Sequence, residues 1–168
     1  MKKVTFILLI LPLMFTSCST EELDNHVQKA QEKDFNGEFK EAIIAWSAAI
    51  SVDPENEYAY FRRAKSKLAL GDSKGAMTDF NKSIQINPNY EWAYAARANL
   101  KAKLNDHKGA VSDFNKILEI DPKNGAIHYK RGLSKIELGD SDGACLDFTR
   151  AGELGQYGVY DLIEKYCN

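Results

Sequence analysis

From Leu23 to Gly158, apolar and small residues recur at steps of three and four, the spacing that gathers them on one face of an α-helix. The rhythm breaks at regular points. Gly37, Gly71, Asn105 and Gly139 interrupt it, and Pro54, Pro88 and Pro122 interrupt it again further on. Glycine, and less easily asparagine, adopts the left-handed backbone that ends a helix. Proline cannot continue a helix and biases the residue before it away from helical geometry. The pattern therefore predicts pairs of amphipathic helices, each pair joined by a short turn. Asp72, Asp106 and Asp140, with Ser73 and Ser141, follow the turns and are placed to accept hydrogen bonds from the free N–H groups of the next helix.

The interruptions recur because the sequence does. LGDSKGAMTDFNKSIQINP, which begins at Leu70, returns from Leu104 as LNDHKGAVSDFNKILEIDP with eleven of nineteen letters unchanged, and Leu138 opens LGDSDGACLDFTRAGELG. The constant interval from Leu70 to Leu104 to Leu138 divides residues 23–158 into four units: 23–56, 57–90, 91–124 and 125–158. Ala30, Ala64, Ala98 and Gly132 share one column; Ala42, Ala76, Ala110 and Ala144 share another. These are positions where two helices approach closely, so a larger side chain at Ala64 or Ala76 overpacks at about 1 to 3 kcal/mol. Trp46, Phe80, Phe114 and Phe148 form a third column and fill the space the small residues leave. The stretch VYDLIEKYC after Gly158 gathers Val159, Leu162, Ile163 and Tyr166 on one face, as the last element of a stacked array requires.

The period, the small columns, the LGD turn, the aromatic and the closing proline together resemble the tetratricopeptide repeat. Unit one is the loosest match, with His26 where Tyr60 and Tyr94 stand in the next two units and His128 in the last. The resemblance implies an all-α, right-handed superhelix of four helix-turn-helix units with a capping helix at 159–168. It also implies that the first helix of each unit lines a concave groove. By column, that groove takes Val27 and Gln31, then Tyr58, Phe61 and Lys65, then Trp92 and Asn99, then Tyr129. Exposed rings beside Lys65 and Asn99 suit a peptide, since rings give contact area at low entropy cost and polar groups orient a backbone. Packing between neighbouring units is the alternative for Phe61, Leu133 and Ile136. The columns that hold a carboxylate clamp in one subset of the family carry Val27, Gln31, Arg62, Trp92 and Ala96 here, so that mode is not implied.

A second set is more regular. Arg63, Arg97 and Arg131 share a column, and Asp79, Asp113 and Asp147 follow them at one fixed spacing; unit one has Lys29 and Ala45 instead. An anion-binding ladder is one reading. A structural ion pair between the two helices of a unit is favoured, because an acid accompanies every arginine and the guanidinium fork suits a carboxylate.

The start of the chain belongs to a different category. Lys2 and Lys3 precede an apolar run from Phe6 to Met14, the layout of a secretory signal and about half the length a spanning helix needs. Phe15-Thr16-Ser17-Cys18 resembles the lipobox of bacterial lipoproteins, which implies a signal peptide at 1–17, lipidation of Cys18, a short tether at 18–22 and an outer-membrane destination. A conventional cut after Ser19 is the alternative. Loss of Lys2 and Lys3, with no acid before Cys18, takes the formal charge from −2 to −4. A mildly acidic body argues against nucleic acid, which needs a basic footprint. With Cys18 lipidated, Cys145 and Cys167 remain, either as small buried hydrophobes or as a disulfide.

No motif points to catalysis, a metal, a cofactor or a small-molecule substrate. LGDSKGA lacks the spacing and the Lys-Ser/Thr pair of a phosphate loop, and no Cys and His spacing suggests zinc. The expectation is a non-enzymatic module, lipid-anchored in a bacterial envelope, that binds a protein or peptide segment in its groove. The competing expectation is a structural subunit of an envelope assembly or transport complex, held through its convex face or ends.

Overall fold

Helix ends are set by the punctuation just described, and a computed structural model gives their positions. It describes the backbone of residues 11–167 and the side chains of 20–167. Most of the expected signal peptide, with the side chain of Cys18, lies outside the described residues. Nine helices and no strand occur among the described residues: α1 Leu11–Phe35, α2 Phe39–Val52, α3 Glu57–Ala69, α4 Ser73–Ile86, α5 Glu91–Lys103, α6 His107–Ile120, α7 Gly125–Glu137, α8 Ser141–Glu153 and α9 Tyr160–Tyr166. None of them is long and apolar enough to cross a membrane. Helix α1 includes residues 18–22, the segment expected as a tether.

Each interior turn closes in the same way. Gly71 (φ 84°) and Gly139 (φ 78°) sit in the left-handed region, and Asn105 (φ 63°) does so without being glycine. At the first of these, Gly71 N–H donates to Leu68 O at 3.0 Å and Asp72 N–H to Lys67 O at 2.9 Å, which satisfies the last carbonyls of α3. The carboxylates of Asp72, Asp106 and Asp140 then accept from the N–H groups of Gly75, Gly109 and Gly143 at 2.8 to 3.0 Å. A Cβ at any of those three glycines would collide with the capping carboxylate. Aspartate and the glycine three positions on are thus one device. Unit one has Glu38 and Glu41 there, and Glu38 makes no side-chain cap.

The chain divides into two compact units, one ending at Asp79 and one beginning at Phe80. In the first, α2 packs on α1 and α3. Its core is Ala30, Ala42, Ala45, Trp46, Ala49 and Ala59, with Leu23, Val27, Ile50 and Tyr58 against it. In the second, α5 through α9 pack in chain order, each helix on the next. Its core is Tyr94, Ala98, Ala110, Phe114, Ile117, Leu118 and Ile127. Trp46, Phe80, Phe114 and Phe148 are all at most 1% exposed. Gly132 stands where the column otherwise has alanine, and the Phe148 ring occupies the space; a Cβ there would lie 2.6 Å from Phe148 Cε1.

Cys145 and Cys167 are joined, with Cα atoms 5.6 Å apart. The reading of them as buried thiols is therefore corrected: neither is fully buried, and the turn after α8 carries α9 back so that its end meets α8.

Candidate functional site

In the first unit, α3 carries Tyr58, Phe61 and Lys65 at spacings of three and four, which places them along one side of the helix. The three do not share one role. Tyr58 is half-buried; its hydroxyl accepts from Arg62 Nη1 at 2.8 Å and from Gln31 Nε2 at 3.2 Å, and its ring meets Trp46 edge-on at 5.6 Å. Phe61 is buried, which makes packing its role, and Lys65 is exposed with its Nζ 5.9 Å from the Phe61 ring.

In the second unit, Trp92 and Asn99 lie two helical turns apart on α5, and both are exposed. Trp92 is 70% exposed, an unusual cost for an indole unless something covers it. Asn99 borders a cavity of about 500 Å³ whose lining includes Lys130, Leu133, Leu162 and Tyr166, from α7 and α9. Tyr129 is half-buried, its ring 6.3 Å from that of Phe148.

The arginine and aspartate columns meet side by side. Arg63 Nε and Nη2 donate to the two oxygens of Asp79, each at 2.8 Å, and Arg97 does the same to Asp113 at 2.9 and 2.7 Å. Arg131 grips Asp147 in the same fork. Sequence reasoning missed two further columns. Lys67, Lys101 and Lys135, one turn after each arginine, reach the same carboxylates at 2.7 to 2.9 Å. The third arginine nitrogen turns back along the chain, to Ser47, Asn81 and Asn115 at 2.7 to 3.0 Å. Each arginine thus ties its own repeat to the one before. The signal for both was present, since both sets recur at the interval of the repeat.

Asp147 also faces His128 Nδ1 at 3.1 Å. Burial pushes the Asp147 carboxyl up, but hydrogen bonds from Arg131, Lys135 and His128 outweigh it, so the group sits below its ordinary 3.8.

Unit one, which lacks this pair, is held by Asp34. Its carboxylate accepts from Trp46 Nε1 at 2.9 Å, from Arg62 Nη2 at 2.9 Å and from Ser66 Oγ. The same column holds Leu68, Ala102 and Ile136 elsewhere, so the departure itself was the signal. Arg62 is committed to this cluster. No group of three or more His, Cys, Asp or Glu is gathered to hold a metal among the described residues.

The tetratricopeptide repeat family model matches residues 57–90 and 93–124. Both segments are similar to the tetratricopeptide repeat. No curated protein matches the sequence. Solved tetratricopeptide structures share the fold. One from Parabacteroides merdae covers 83% of this chain and 56% of its own, with a TM-score of 0.77 and 20% identity. YrrB, described as a tetratricopeptide protein with an unusual peptide-binding site, covers 87% and 75% with a TM-score of 0.73 and 17% identity. The first tetratricopeptide domain of Spaghetti (RPAP3), solved with an HSP90 peptide, covers 71% and 94% with a TM-score of 0.67 and 23% identity. The fold is the all-α tetratricopeptide fold.

Proposed function

We propose that this protein is a non-enzymatic interaction module, lipid-anchored through Cys18 to a bacterial envelope membrane, that captures a peptide or protein segment on the first-helix faces of its repeats. The observation that carries this reading is Trp92, an exposed ring on the same helix as Asn99, which borders the 500 Å³ cavity. An apolar ring with an amide two turns away offers contact area and a backbone partner together. Phe61 is not counted among the contact residues. The disulfide supports an exported location, since such bonds persist in oxidising compartments.

Affinity capture from solubilised envelope, with partners identified by mass spectrometry, tests the groove. Trp92→Ala with Asn99→Ala, and separately Lys65→Glu, should abolish capture with thermal stability unchanged; unaffected capture sinks the reading. Metabolic labelling with a fatty acid tests the anchor. The wild type should take label and Cys18→Ala should not, and absence of label in both removes the lipid.

A second reading rests on Ile44 and Leu146, 71% and 74% exposed on the second helices of the first and last repeats. The middle repeats have Thr78 and Ser112 in that column. Apolar residues so placed suit attachment of an assembly subunit by its outer face, and Ile44→Asp or Leu146→Asp would then be the substitution that loses the partner.

A further inference from the structure

Helix α9 is short. It is seven residues long and none of them is buried, and a helix of that length has no stability of its own in water. Each end is tied to α8. At its start Val159 is fully buried against Gly152 of α8, where an added Cβ would lie 3.2 Å from Val159 Cγ2. At its end Cys167 is bonded to Cys145 of α8. The connection from α8 runs through Gly155 (φ 79°) and Gly158 (φ 78°), backbone turns that only glycine adopts freely.

The disulfide is open to solvent. Cys145 and Cys167 are both partly exposed and line a surface groove of about 960 Å³ with Leu146, Thr149, Ile163 and Tyr166. The helix it secures also supplies Leu162 and Tyr166 to the wall of the 500 Å³ cavity. A covalent bond at the surface therefore joins α8 to an element that lines a candidate binding cavity.

We propose that the Cys145–Cys167 disulfide is a thiol-exchange site, a latch on α9 opened by a dithiol reductant of the thiol–disulfide oxidoreductase class. A thiolate of the reductant attacks one of the two sulfurs, a mixed disulfide forms, and the other cysteine leaves as its thiolate. The reductant's second thiol then displaces the remaining cysteine. Two electrons and two protons pass to Cys145 and Cys167, and the reductant departs as its own disulfide. With the latch open, α9 loses its covalent tie to α8 and moves on the glycine turns, and the cavity loses the wall made by Leu162 and Tyr166. That last consequence rests on the groove reading; the latch itself does not.

The test uses the full chain, isolated without reductant and treated with dithiothreitol in native buffer. Peptide mapping after alkylation reads the two thiols, and amide hydrogen exchange reads α9. Both cysteines should become alkylated without denaturant. Protection of residues 160–166 should fall by about tenfold or more while α5, α6 and α7 keep theirs, the signature of local opening. Cys145→Ser with Cys167→Ser should reproduce the fast exchange in the absence of any reductant. The proposal is overturned if the cysteines are isolated unbonded, if they react only after unfolding, if α9 protection does not change, or if protection is lost across α5 to α8 together. Should exchange behave as expected while Trp92→Ala leaves partner capture intact, the groove reading falls and the latch stands.

Discussion

Asp34 accounts for one way in which unit one departs from the others. Phenylalanine fills the aromatic column three times without a polar atom, whereas Trp46 brings an N–H that must find an acceptor inside the core. Asp34 provides it and also takes Arg62, which stacks over the Trp46 and Tyr58 rings at 5.6 Å. Removing the carboxylate leaves an indole N–H and a part-buried guanidinium without their acceptor. Asp34→Ala should therefore destabilise by about 2 to 3 kcal/mol, read from urea unfolding followed by circular dichroism. A loss below about 0.5 kcal/mol would show the cluster to be ornamental. Asn105 gives the opposite case. It holds φ 63° where the equivalent residues are glycine, so Asn105→Gly should be neutral or stabilising and Asn105→Val should cost more than about 1 kcal/mol in the same assay.

Between helices, the recurring tie is one carboxylate shared by an arginine and a lysine, with the arginine's third nitrogen reaching the preceding repeat. Side-chain exposure of the acids is 3 to 4% and of the cations 16 to 19%, so these pairs are shielded more than surface ion pairs are. Asp147 makes the consequence measurable. Its carboxyl is held below the ordinary 3.8, so its contribution to stability is present in full above that value and is lost as pH falls through the lower folded one. The stability difference between the wild type and Asp147→Asn should narrow below pH 3.8, followed by thermal melts. A difference that stayed constant to about pH 2 would contradict the assignment. The arginine–aspartate partnership was legible because both columns repeat and keep the same spacing in three repeats. The lysine and the Ser/Asn partners repeat equally well. They escaped notice because one acid already matched each arginine, and a helix turns a residue at i+4 onto the same face whether or not pairing asks for it.

Within each compact unit, the helix contacts run between helices adjacent in sequence, as expected when each repeat rests on its neighbours. The cores of the two compact units share no residue. Substitutions in them should therefore act independently: Trp46→Phe and Ile117→Val together should lower stability by the sum of their separate effects, within about 0.5 kcal/mol. A larger coupling would mean the two cores communicate.

Helices, turns and the buried columns were determined by the sequence alone, because they depend on contacts within about one repeat and each was written three or four times. Three decisions belonged to tertiary structure. Tyr58, Phe61 and Lys65 sit on one side of α3, yet how deep each lies depends on what the neighbouring helices cover, and only Lys65 is left exposed. Asp34 occurs once, so no column revealed what it binds. Cys145 and Cys167 also occur once; their meeting depends on the backbone turns at Gly155 and Gly158, and a distance set by two such turns is not written in any periodicity.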